Sequence, residues 1–216
     1  MKSLSKNFLN DAEKKKVEAA VADAEKKTAG EIVVMIVPAS YNYPMAEVIG
    51  AAACALPVSI LLTIYLGGLF WIGTRDMWLF MGLFAVLFFG SRFLVKGLPW
   101  FKRGFISKRE VAEEVQEAAV TAFYQNGLFR TRDETGVLLY ISVFEHKVWV
   151  LADRGINDKV PKDAWTEMVD VITGGIHEKR QAEAICTAVE SMGAMLARHF
   201  PVKPDDTNEL KNLIIE

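Results

Sequence analysis

Residues 136–153, GVLLYISVFEHKVWVLAD, decide the fold. Two runs rich in β-branched and aromatic side chains, 136–144 and 147–153, are parted by Glu145-His146. Such residues suit a pleated, largely buried surface, and two runs this close in sequence pair as a β-hairpin. A third run, Glu31 to Pro38 (EIVVMIVP), is short for a helix and closes on proline, so it reads as a strand.

Outward from these strands the sequence turns helical. Phe8, Ala12, Val17, Ala20, Val21 and Ala24 recur on one helical face between Phe8 and Lys27, and Gly30 closes the segment. Ser107 to Asn126 reads as a helix with Ser107 as N-cap, Glu110 at the capping-box position and Gly127 as its stop. Pro161 to Ile176 and Gln181 to His199 supply two more. This order predicts an α/β fold: a small mixed sheet flanked by helices, its first two strands parallel and its third antiparallel.

Between the first strand and its crossover helix lies a different kind of sequence. Val48 to Gly73 contains no charged side chain, and Met77 to Val95 is nearly as apolar, with Arg92 close to its end. A helix needs ~20 apolar residues to cross a ~30 Å hydrocarbon core, and a membrane tolerates a proline such as Pro57. Residues 47–95 are therefore expected to form a transmembrane helical hairpin interrupting the sheet domain. Residues 1–46 and 96–200 then make one discontinuous cytoplasmic α/β domain, and 201–216 a C-terminal tail. Trp71, Trp78 and Trp100 fall where interfacial aromatics are expected. The small residues of the first span, Gly50 to Ala55, allow close helix approach, to the second span or to another subunit.

Charge sets the orientation. Arg92, Lys96, Lys102, Arg103, Lys108 and Arg109 cluster after the second span with no acid among them, while the tip holds only Arg75 as a base. The positive-inside rule then puts both termini in the cytoplasm and the tip outside, for a two-pass membrane protein. The Lys-, Glu- and Ala-rich start carries no apolar core of a cleavable signal, so the first span is expected to serve as its own insertion signal. A net charge of −2 gives no overall attraction to nucleic acid, and Cys54 and Cys186 make no disulfide framework.

Thr28-Ala29-Gly30-Glu31-Ile32-Val33-Val34, then Thr135-Gly136-Val137-Leu138-Leu139, then Val148 to Ile156 with its Ala152-Asp153-Arg154-Gly155, follow one another in an order that resembles the TPM-domain family. The tail, Phe200-Pro201 with Asp205-Asp206 and Asn208-Glu209-Leu210, is similar to the bacterial membrane-embedded branch of that family. The resemblance covers most of the chain outside the hairpin. It implies a small central sheet flanked by helices. It also implies links to divalent-cation binding, to phosphatase activity as in plant relatives, and to assembly or repair of membrane complexes.

The topology gathers acids at one edge of the sheet. Glu31 starts the first strand, Asp133 and Glu134 precede the second, and Asp153 ends the third, with Asp158 beyond. Glu31, Asp133 and Asp153 are the metal candidates, for a hard cation such as Ca²⁺ or Mg²⁺ that takes oxygen ligands. Arg130, Arg132 and Arg154 are expected at the same edge and offer salt bridges instead. No nucleophile elbow, P-loop or dinucleotide fingerprint occurs, so no catalytic or cofactor-binding residue is assigned. Gly155 is expected at a positive φ with Asn157 or Asp158 capping the segment after it, and Gly174-Gly175 as a helix cap. His146 is expected to be a solvated turn residue, and His177 and His199 to lie near helix ends.

Two functions emerge as expectations. One is a non-enzymatic interaction and assembly module tethered to the bilayer, self-associating through the hairpin or holding another membrane protein. The other is a metal-dependent phosphatase on the acidic edge. The tail, ending Leu213-Ile214-Ile215, either docks a partner or folds back on the domain.

Overall fold

The computed structural model describes residues 3–70, 76–161, 163–202 and 210–216. It divides into two compact units, Met1–Tyr41 with Ala112–Glu216, and Asn42–Val111. In chain order the elements are α1 (Ser3–Lys6), α2 (Asp11–Glu25), β1 (Glu31–Val37), α3 (Pro44–Phe70), α4 (Asp76–Gly97), α5 (Pro99–Arg103) and α6 (Lys108–Gln125). After these come β2 (Gly136–Ser142), β3 (Lys147–Ala152), α7 (Arg154–Asn157), α8 (Asp163–His177), α9 (Gln181–His199) and β4 (Leu213–Ile215).

The first unit is a four-stranded sheet in the order β3-β2-β1-β4. β1 runs parallel to β2, with Glu31 beside Gly136 and Val37 beside Ser142. β3 returns antiparallel, with Val137 opposite Ala152 and Ser142 opposite Lys147. Every position of β1 and β2 is buried. Burial on both faces explains why these strands read as continuous apolar runs and not as alternations.

On one face Ile32, Val34, Ile36, Val137, Leu139 and Ile141 meet the apolar stripes of α2, α8 and α9. On the other, Met35, Val37 and Tyr140 border Ala118, Ala122 and Gln125 of α6. Capping sets where α2 begins: Asn10 Oδ1 accepts from Glu13 N at 2.9 Å, and Glu13 Oε2 accepts from Asn10 N at 2.7 Å. The helix therefore starts at Asp11 and leaves Phe8 in the preceding turn, packed against the core.

Three expectations are settled or corrected. The tail folds back in part: Leu213–Ile215 adds β4 parallel to β1, with Val34 beside Leu213, while Asp205-Asp206 and Asn208-Glu209 lie outside the described residues. The β-hairpin turn takes four residues, Val143 to His146: Val143 N continues the β1-β2 ladder onto the Val37 carbonyl, and Phe144 N turns to the Pro38 carbonyl instead of pairing with β3. Exposed His146 takes the left-handed conformation there, at φ 52°. Gly174 and Gly175 lie inside α8 and not at a cap; a Cβ on Gly175 would sit 2.2 Å from that of Ala184, so glycine lets α8 close on α9.

In the second unit α3 and α4 pack as an antiparallel pair. Both are long and apolar enough to cross a bilayer, and only 22% and 6% of their most apolar windows are buried. Helices of a soluble core bury their apolar faces, whereas Leu61 (67% exposed), Ile64 (69%), Val86 (73%) and Phe93 (80%) point outward. The small residues face inward: Ala51, Ala55 and Ser59 form a buried stripe along α3, and Gly50 lies against Val95 and Phe105 of the same unit. Ser59 and Thr63 near Pro57 return their hydroxyls to the carbonyls of Leu56 and Ser59. Trp78 and Trp100 are exposed; Trp71 lies outside the described residues.

At the open end of this pair Lys102 is 3% exposed. Its Nζ lies 2.7 Å from Glu47 Oε1 and also bonds the carbonyl of Asn42. Lys102 thus holds the start of the unit to its end, and Glu47 sits in the first turn of α3 where the helix dipole favours an anion.

Candidate functional site

Glu31 begins β1, Asp153 follows β3, and both flank Gly136, the first residue of β2. Residues paired across strands project to one face, so the two carboxylates share a face with a glycine between them. Two strand spacings separate their backbones by ~10 Å. The gap is filled: a Cβ on Gly136 would lie 2.4 Å from the Leu128 carbonyl oxygen.

Asp153 is the better defined of the pair. Its Oδ1 accepts from Arg154 N at 2.8 Å and caps α7. Its Oδ2 is buried and, among the described residues, accepts no hydrogen bond. Asp133 is exposed, on a turn that Thr131 secures by accepting from Thr135 N at 2.9 Å. Exposed Glu134 takes a left-handed φ of 54°.

Gly155 explains how that turn meets α7. Its φ is not positive, contrary to expectation; it lies within the helical turn and is glycine because a Cβ would meet the carbonyl oxygens of Asp133 and Glu134 at 2.8 Å. The cap of this turn is Asp153, not Asn157 or Asp158, and Asn157 Nδ2 instead donates to the Ala152 carbonyl.

Among the described residues no three acidic, histidine or cysteine side chains come together as a cation-holding group. The edge brings together one buried carboxylate oxygen of Asp153 and the backbone carbonyls beside Gly136 and Gly155. It does not make a three-carboxylate centre. The arginines divide: Arg154 reaches Asp158 at 4.0 Å across the surface, and Arg130 stacks over the Phe129 ring at 5.3 Å. Asp133 and Asp158 border one cavity of about 470 Å³, shared with Lys159, His199 and Phe200.

A second polar group escaped the sequence reading. Glu145 is 2% exposed, accepts from Ser40 N at 2.9 Å and bonds the Ser142 hydroxyl. Ser40 Oγ lies 3.3 Å from the Tyr140 hydroxyl, whose pKa burial pushes up to about 12, with the Ser40 contact pulling the other way. These groups join the end of β1 to the β2-β3 turn. In sequence Glu145 is merely an acid in a turn, and only its partner 105 positions away reveals its role.

A small mixed sheet flanked by helices, with α2, α8 and α9 on one face and α6 on the other, is the architecture that the sequence order anticipates; β4 is added to it. The family model for the TPM domain matches residues 106–195, and the chain carries a TPM domain. Among solved structures it is similar to the NMR structure of BA42 from the psychrophilic bacterium Bizionia argentinensis, at 23% identity and a TM-score of 0.58. That likeness covers 96% of this chain and 94% of the other. No protein with a curated description matches.

Proposed function

We propose that this protein is a two-pass component of the bacterial inner (plasma) membrane whose TPM domain is a non-enzymatic interaction and assembly module on the cytoplasmic face. One observation carries the reading: two long helices with outward apolar side chains are inserted between β1 and β2, neighbouring strands of one sheet. An anchor at a chain end could be shed while the domain stayed intact. An insertion inside the sheet's own connection ties the domain to the bilayer for the life of the fold.

Charge supports the orientation. Residues 42–111 carry seven basic and three acidic side chains, against 18 and 24 in the rest. Arg92, Lys96 and Lys108 are exposed, as a cytoplasmic headgroup contact requires. On this reading the chain falls in the membrane-embedded branch of the family. Purification in mild detergent after cross-linking in intact membranes should recover a stoichiometric membrane partner or a homo-oligomer. Recovery of monomer alone would contradict the assembly role.

Asp153 favours a second reading, a Ca²⁺- or Mg²⁺-binding edge that could serve a metal-dependent phosphatase. Its Oδ2 is buried and, among the described residues, accepts no hydrogen bond, which supports a cation there. Calorimetric titration of the full chain with Ca²⁺ should then give a heat that Asp153→Asn removes, since asparagine keeps the cap but not the charge. Equal heats in both proteins, or none at millimolar metal, would rule the edge out.

A further inference from the structure

We propose that the free edge of β3 is a docking strand for an extended polypeptide segment with alternate β-branched side chains and basic ends. β3 is the terminal strand of the sheet. Asp153 N donates to Gly136 O across the ladder, so alternation turns the backbone groups of Leu151 and Trp149 towards β2 as well. Those of Val148 and Val150 face away from the sheet. Asn157 takes the Ala152 carbonyl and so ends the open stretch. Edge strands are usually guarded by proline, an inward charge or a bulge, and Val148 to Ala152 carries none of these.

A groove of about 740 Å³ runs along this edge, walled on α8 by Trp165, Thr166 and Val169. Trp165 is 9% exposed, and among the described residues its Nε1 finds no acceptor. A buried indole N–H wants one, and the carbonyl of a strand lying in the groove would provide it once the ring turns towards that strand. Asp163 and Asp170, both exposed, stand three positions before and four after Thr166, on its helix face. They give the rim a negative charge, which selects Lys or Arg at the ends of the incoming segment.

A single strand fits better than a second folded copy. Pairing β3 with β3 would bring the two strands ~4.8 Å apart. The α8 helices packed on them need ~8–10 Å between axes. A strand bearing no helix meets no such conflict, and β-strand addition is an established mode of peptide capture. This inference rests on the interaction-module reading for its purpose, but its test does not.

The probe is the capped peptide Lys-Val-Thr-Val-Thr-Val-Lys, titrated into the full chain held in nanodiscs with ¹⁵N-labelled tryptophan. The expected result is a saturable downfield shift of the Trp165 indole N–H, identified by its loss in Trp165→Phe, with slowed amide exchange at Val148 and Val150. Val150→Pro should abolish binding, because it removes an outward N–H and leaves the β2 ladder intact. Asp163→Lys with Asp170→Lys should weaken it about three- to tenfold, the range for two exposed ion pairs. No shift at millimolar peptide, full binding by Val150→Pro, or equal binding of a Glu-ended peptide would overturn the proposal. Peptide binding by a protein that recovers no membrane partner would contradict the assembly role alone.

Discussion

Replacing Lys102 with methionine is expected to cost about 3–5 kcal/mol of stability, because it strands Glu47 without its cation. Lys102 is almost wholly buried, and its Nζ lies 2.7 Å from Glu47 Oε1. An exposed pair would contribute no more than ~1 kcal/mol. Thermal unfolding in detergent micelles should show a fall of roughly 10 °C for a chain of this size. Lys102→Met combined with Glu47→Leu should regain most of that loss, since the penalty comes from the unpaired charge and not from the missing attraction. A single variant that melts within a degree or two of the parent would show that the pair is solvated.

Gly136→Ala should be nearly as damaging, at about 3 kcal/mol, the upper part of the range for overpacking. The added Cβ would lie 2.4 Å from the Leu128 carbonyl oxygen, and both groups are backbone. A flexible side chain could swing aside; a carbonyl fixed by the turn before β2 cannot. Gly174→Ala is the control, with open space around its Cβ inside α8. There alanine should stabilise by up to ~1 kcal/mol through helix propensity. The same melting experiment reads both, and a Gly136→Ala protein as stable as the parent would contradict the close approach of Leu128 to β2.

Much of this architecture was legible because it rests on local pattern. The runs at 31–38, 136–144 and 147–153 became β1, β2 and β3, parallel and then antiparallel, and the apolar runs became α3 and α4. The features that escaped depend on distant partners. Leu213–Ile215 is only three residues long, too short to show a strand period, and becomes β4 because β1 offers an open edge. Lys102 read as one more cytoplasmic base until Glu47, 55 positions away, proved to bury it.

The candidate site was legible in position but not in geometry. Topology brought Glu31 and Asp153 to one end of the sheet, as expected. Whether they converge turned on Gly136 and the Leu128 carbonyl above it, and side-chain reach across a strand is not written in the sequence. Gly155 teaches the same lesson. Its sequence context suggested a turn with positive φ, whereas crowding by two carbonyls requires the missing Cβ.

Cysteine accessibility at the hairpin tip tests the membrane tether most directly. With Cys54 and Cys186 replaced by serine, Thr74→Cys should react with a membrane-impermeant maleimide added to intact spheroplasts. Ser3→Cys should react only after lysis. Labelling of Thr74→Cys only after lysis, or recovery of the chain in the soluble fraction after an alkaline wash, would contradict the two-pass insertion on which the proposed function stands.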